Sequence, residues 1–174
     1  MLDDCYSFFP HLPNLSDQYV KEAINLSQFS TYHVVPGTNI TVNTTQAKTS
    51  FENTQFIADL KHEFGSVRTH YLRVDGMHSY DWHTDSARRA AILFLLNDVG
   101  SAFTLFKEEI DNRNSRLVKV PYTLLRPTLL DVTVPHCVIN LSDTPRYALT
   151  VGFDFSVTYN QLREFLNQYS TNQY

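Results

Sequence analysis

The segment Tyr80-Asp81-Trp82-His83-Thr84-Asp85 sets an imidazole two residues before a carboxylate. On an extended strand, side chains at i and i+2 leave the same face, so His83 and Asp85 are expected to converge on one ion. Seven histidines and twelve aspartates in 174 residues give about 0.5 such pairs by chance, so the pair needs a third member. His136 supplies it, following Pro135 after the β-rich run Thr128 to Val134. Two neutral imidazoles and one carboxylate make the facial triad that holds non-haem Fe(II) and leaves positions open for a co-substrate and O2. Mn, Co, Ni and Zn accept the same ligands.

Arg146 is the fourth element, ten residues after His136 and across the turn expected at Asn140 to Pro145. An antiparallel return would bring it into the same barrel. A guanidinium inside a barrel is costly unless it meets a carboxylate, best in a bidentate pair, and a dicarboxylate co-substrate would satisfy it.

These residues need strands to position them. From Ser66 to Phe155 short β-rich runs are broken at Asp75-Gly76, Asn97-Asp98, Asp111 to Asn114, Arg126-Pro127 and Ser142 to Pro145. Ala90 to Leu96 is apolar on both faces, as a strand buried on both sides requires. Arg146 to Phe155 alternates: Tyr147, Leu149, Val151, Phe153 and Phe155 take one face, while Arg146, Ala148, Thr150 and Gly152 take a small, polar face suited to lining a cavity. Ser16 is a plausible N-cap for a helix carrying Tyr19, Val20, Ala23 and Ile24 on one side. Residues 33 to 48, with Pro36 and Gly37, suit a short strand and a turn. A helix is expected over Ser50 to Phe64, capped by Thr49 with Glu52 and stopped by Gly65. Another is expected over Tyr159 to Tyr169, with Leu162, Phe165, Leu166 and Tyr169 as its stripe. The chain thus reads as one domain, 1–174: a mixed helical part over 1–65, a β-barrel core over 66–155 and a closing helix.

Apolar residues at 43% and aromatic residues at 13% exclude a disordered chain. A net charge of −4 with scattered acids offers no basic patch, so nucleic acid is not expected as a primary partner. Two cysteines, Cys5 and Cys137, cannot form a disulfide framework and fit a reducing, cytoplasmic compartment. The longest apolar run, Ala90 to Leu96, is far short of the ~20 residues that span a bilayer, and acids stand early where a signal peptide carries positive charge. Asn-x-Ser/Thr triplets at Asn14 and Asn39 are discounted for lack of a secretory signal. His70 and His78 read as structural, Tyr80 and Trp82 as packing, and Cys137 as a small buried side chain. Arg88 and Arg89 read as solvated or ion-paired, with contact to an acidic substrate as the alternative.

Taken together, His83-Thr84-Asp85, Gly100 with Thr104-Leu105-Phe106, the stretch Pro135 to Ser142, and Pro145-Arg146 with Leu149 to Phe153 resemble the Fe(II)/2-oxoglutarate-dependent oxygenases. The resemblance covers roughly residues 66 to 155 and is nearest to the small prolyl-4-hydroxylase-like enzymes. It implies a mainly β fold with packing helices, a double-stranded β-helix of jelly-roll, cupin-like type. It implies that His83, Asp85 and His136 bind Fe(II), that Arg146 binds the distal carboxylate of 2-oxoglutarate, and that Tyr71 helps to position this co-substrate. The implied activity is hydroxylation of a protein or peptide side chain, such as prolyl, or of a small molecule, with O2 consumed, succinate and CO2 released, and ascorbate as a reductant. The chain departs from the family pattern where a Gly-Gly-x-Thr-x-Phe stretch is loosened to Gly100 through Phe106, and where Asp131 interrupts a usually apolar strand. Arg146 stands where prolyl hydroxylases often carry Lys, and Ala148 where a Ser is usual. Thr150 and Val151, with the net charge, argue against repair of alkylated nucleic acid. The rival from another class is a cupin-like metal-binding or structural domain without turnover.

Overall fold

In chain order the elements are β1 (Tyr6–Phe8), α1 (Asp17–Asn25), β2 (Tyr32–Val34), β3 (Thr41–Thr45), α2 (Gln55–Phe64), β4 (Val67–Val74), β5 (His78–His83), β6 (Ala90–Leu95), β7 (Ala102–Glu109), β8 (Ser115–Lys119), β9 (Pro127–Asp131), β10 (His136–Asn140), β11 (Arg146–Phe153) and α3 (Tyr159–Gln168). The computed structural model describes residues 4–26, 32–34, 41–45, 49–111 and 113–169. Two antiparallel sheets face each other, one in the order β1-β9-β6-β11-β4-β3-β2, the other β5-β10-β7-β8. From β4 onward each connection crosses between the sheets, except the β7–β8 hairpin. This winding is the double-stranded β-helix, a jelly roll.

The neighbouring strands β9, β6 and β11 of the larger sheet are buried on both faces, which explains the unbroken apolar run of β6. Ile92 and Phe94, with Leu129, Leu149 and Val151 beside them, pack against Ile57 and Leu60 of α2 and Leu162 and Leu166 of α3. The alternate residues Ala91, Leu93, Leu130 and Ala148 meet Phe106 from the smaller sheet. Register fixes the faces of β11: it pairs Ala148 with Leu95 and Leu72, and Thr150 with Leu93 and His70. Arg146, Ala148, Thr150 and Gly152 therefore share the barrel interior.

Ser16 caps α1 through the Gln18 N–H. The helix expected from Ser50 starts later: residues 50–53 form a single 3-10 turn, and the Thr54 hydroxyl caps α2 through the Ile57 N–H. The expected capping pair is engaged elsewhere. The Thr69 hydroxyl on β4 lies 3.3 Å from Thr49 Oγ1 and donates to Glu52 Oε1 at 3.2 Å, so a buried strand hydroxyl competes for both groups. Thr158 and Gln161 make a capping box at the start of α3. No helix of the described residues is long and apolar enough to cross a membrane.

Candidate metal centre and co-substrate pocket

His83 ends β5 and His136 begins β10, and the two are direct cross-strand partners with ring centroids 4.2 Å apart. The Nδ1 of His83 lies 2.6 Å from the Asp81 carbonyl oxygen, and that of His136 lies 2.9 Å from the Val134 carbonyl oxygen. A carbonyl only accepts, so each Nδ1 carries a proton, which leaves Nε2 as the ring atom that could take a metal. Burial first, then the neighbouring His83, push the His136 pKa down to about 4, so this imidazole stays neutral at physiological pH.

Asp85 reaches the same point by a route that strand alternation does not describe. The strand stops at His83, and Asp85 sits in the following loop, its N–H donating to the Val132 carbonyl at 3.0 Å. That bond ties the loop after β5 to the segment leading into β10. It leaves Asp85 Oδ1 3.6 Å from His83 Nε2, and the ligand atoms of His83, Asp85 and His136 all lie within 4.8 Å of one another. Two imidazole lone pairs and one carboxylate, oriented by backbone carbonyls, fit a first-row divalent ion with part of its coordination sphere open.

Arg146 is 4% exposed. Its Nη2 donates to Thr104 Oγ1 at 3.1 Å, and its guanidinium carbon lies 5.4 Å from the Tyr122 ring centroid. The Tyr122 hydroxyl donates to the same Thr104 oxygen at 3.1 Å. Among the described residues no carboxylate pairs with this guanidinium, so a full positive charge faces the barrel interior with neutral partners only. Thr104 stands opposite Val138 and Phe106 opposite His136, which places the arginine contact two strand residues, about 7 Å, from the His136 end of β10. Sequence reasoning named Thr104 only as part of a motif and missed Tyr122. That tyrosine lies in the irregular segment after β8, where no periodicity marks a direction.

Tyr71, expected to help position a co-substrate, is not brought to the other site residues. It pairs with Leu149 and is fully buried in the helix-side core, on the face of the larger sheet opposite Arg146. The reason is parity. Arg146 pairs with Val74, and residues an odd number of positions from Val74 point the other way. Burial, with Glu22 close by, raises its phenol pKa. Arg88 is drawn into the site, its Nε donating to Asp85 Oδ2 at 2.5 Å and its Nη1 to Thr150 Oγ1 at 3.3 Å. Arg89 turns away and stacks on the exposed Phe155 ring at 4.4 Å. The Tyr80 ring packs on His83 at 3.9 Å, and His78 holds the Gly76 carbonyl in the β4–β5 turn at 2.7 Å. Cys137 is buried, and desolvation pushes its thiol up to about 11.

No protein-family model and no curated protein matches the sequence. Solved structures do. A prolyl hydroxylase from Trichoplax adhaerens, in complex with a hypoxia inducible factor oxygen degradation domain peptide, superposes with a TM-score of 0.61 at 14% identity, over 88% of this chain and 84% of that one. A prolyl-4-hydroxylase from Pseudomonas putida gives 0.58 at 16%, over 87% and 92%. EvdO2 from Micromonospora carbonacea var. aurantiaca, complexed with 2-oxoglutarate, gives 0.53 at 15%, over 86% and 85%. The chain has the fold of the 2-oxoglutarate-dependent oxygenases. At these identities the likeness is one of fold, a jelly roll that brings the ends of β5, β10 and β11 into one barrel.

Proposed function

We propose that this protein is an Fe(II)- and 2-oxoglutarate-dependent dioxygenase that hydroxylates a C–H bond of a peptide side chain or small molecule. One observation carries the reading. The barrel that brings two imidazole nitrogens and a carboxylate together also buries, about two strand residues away, a guanidinium with no acidic partner among the described residues. A metal-binding domain without turnover needs the first feature and has no use for the second, because a buried unpaired cation is destabilising. A five-carbon dicarboxylate would use both, with its 2-oxo acid end at the metal ligands and its distal carboxylate on Arg146.

His83, Asp85 and His136 would hold Fe(II), which, when bound, supplies the redox chemistry that couples oxidative decarboxylation of 2-oxoglutarate to hydroxylation. The chain's own residues orient and exclude. The Asp81 and Val134 carbonyls hold both imidazoles in the binding tautomer. Arg146 sets the direction of the co-substrate, with Thr104 and Tyr122 fixing the guanidinium. Leu93, Ala148 and Phe106 keep water from the space between. The prolyl hydroxylase from Trichoplax adhaerens was solved with a peptide, and SnoN, another neighbour at a TM-score of 0.57, is an epimerase from nogalamycin biosynthesis, so both substrate classes occur on this fold.

The test is succinate release from 2-oxoglutarate by the purified protein with Fe(II) and ascorbate, in the absence of a second substrate. Asp85→Ala, which removes the anionic ligand, is expected to abolish it. Equal succinate from wild type and Asp85→Ala at matched iron would leave the fold with a metal-binding role and no turnover.

A further inference from the structure

We propose that Arg88, with Thr150 and His70, forms a second anion subsite in the barrel, and that the substrate to be oxidised presents a carboxylate to it. The inference rests on the dioxygenase reading above and goes beyond it by naming a substrate class. Arg88 touches Thr150 and lies against Gly152, four and six residues beyond Arg146 on the same face of β11. Arg88 thus meets β11 at Thr150, about 13 Å along the strand from the Arg146 backbone, while the Arg146 guanidinium is held by Thr104 and Tyr122, so the two arginines have different partners.

Three observations converge on this place. First, the floor is shaped for the arginine. A Cβ at Gly152 would lie 3.0 Å from Arg88 Nη1 and 3.5 Å from its Cδ, so glycine leaves the groove in which the side chain lies. Second, hydrogen bonding is incomplete. Nε is committed to Asp85 and Nη1 to Thr150, while Nη2 has no hydrogen-bond partner among the described residues, and the side chain is 24% exposed toward solvent. Beside it His70, the cross-strand partner of Thr150, has a buried Nδ1 with no hydrogen-bond partner. A buried polar atom left unpaired is costly unless a ligand or water meets it. Third, the charges do not balance. A divalent ion on Asp85 leaves one positive charge, Arg88 and Arg146 add two, and the two carboxylates of 2-oxoglutarate cancel two. One positive charge remains, and beside it a singly charged anion is favoured over a neutral ligand. Because Nε serves Asp85 and Nη1 gives one hydrogen to Thr150, Nη2 and the second Nη1 hydrogen are left for a planar carboxylate, which a guanidinium binds through two parallel bonds.

The test uses protein loaded with Mn(II) and saturated with 2-oxoglutarate under anaerobic conditions, without turnover. Acetate and acetamide are titrated separately, and paramagnetic relaxation of their methyl protons reports binding near the metal. Acetate is expected to bind at least tenfold more tightly than acetamide. In Arg88→Met the preference should fall to within twofold, and in Arg88→Lys, which keeps the charge and the attraction to Asp85 but loses the fork, it should be intermediate. No preference in wild type overturns the proposal. So does an acetate preference that survives in Arg88→Met, which would place acetate on the metal itself. If Arg88→Met fails to hold Mn(II), Arg88→Lys decides: a preference reduced from that of wild type supports the subsite, and one as large as in wild type overturns it. Failure of 2-oxoglutarate to bind Mn(II)-loaded wild type, measured first, would instead count against the dioxygenase reading.

Discussion

Replacing Arg146 by Met should move stability and co-substrate affinity in opposite directions. In the metal-free protein the guanidinium is 4% exposed and has a threonine hydroxyl and the face of a tyrosine as neighbours, with no acid among the described residues. Exchanging a buried ion for an apolar side chain of similar length is neutral to stabilising by about 1–4 kcal/mol. The lost hydrogen bond to Thr104 offsets about 1 kcal/mol of that. A net gain of up to about 3 kcal/mol corresponds, in a domain of this size, to a rise in Tm of up to roughly 10 °C. Co-substrate binding should suffer instead. Losing one partner of a buried charge-assisted pair costs about 2–5 kcal/mol, or roughly 30-fold to several thousandfold in Kd. Arg146→Lys should recover only part, since an ammonium keeps the charge but not the planar fork. Thermal melts of metal-free protein, with calorimetric titration of 2-oxoglutarate into Mn(II)-loaded protein, read both effects. A variant that melts well below wild type and binds 2-oxoglutarate as tightly would refute the reasoning, because the arginine would then be a structural group satisfied within the fold.

Two further expectations follow from buried groups. His136 is held neutral down to about pH 4, against an ordinary value of 6.5, so between these values the unfolded chain binds more protons than the folded one. Stability of the metal-free protein should therefore fall as pH drops from 6.5 toward 4, by on the order of 1–3 kcal/mol from this residue, and denaturant titrations of His136→Gln should show a flatter dependence. If wild type and variant change in parallel over that range, His136 does not carry the linkage. Cys137 is buried with its thiol pushed up to about 11, so iodoacetamide at pH 8 should modify it only under denaturing conditions. Modification of the native protein at the rate of a free thiol would show that β10 opens readily.

The chemistry-bearing set was legible in the sequence where it depends on short-range spacing. His136 and Arg146 stand on successive strands whose separating turn is marked by Ser142 and Pro145, and such a chain reversal can be read without knowing that it carries the chain from one sheet to the other. The alternation in β11 likewise told which residues share a face with Arg146. What alternation leaves open is which face meets which layer, because the period of two is symmetric until a neighbouring strand sets the register. Tyr71 shows the consequence, since pairing with Leu149 turns it toward the helices. The start of α2 was misplaced for a related reason: a capping pair correct in spacing was drawn off by Thr69, seventeen to twenty residues away in sequence. Asp85, Arg88 and Tyr122 lie in loops, where position is set by single long-range contacts: to Val132, Thr150 and Thr104 respectively. The sequence by itself determined the ligand types, the buried arginine and the alternation of strands, because local backbone geometry encodes them. The direction of each loop side chain, and so the second arginine beside Asp85, was decided only when the two sheets closed on each other.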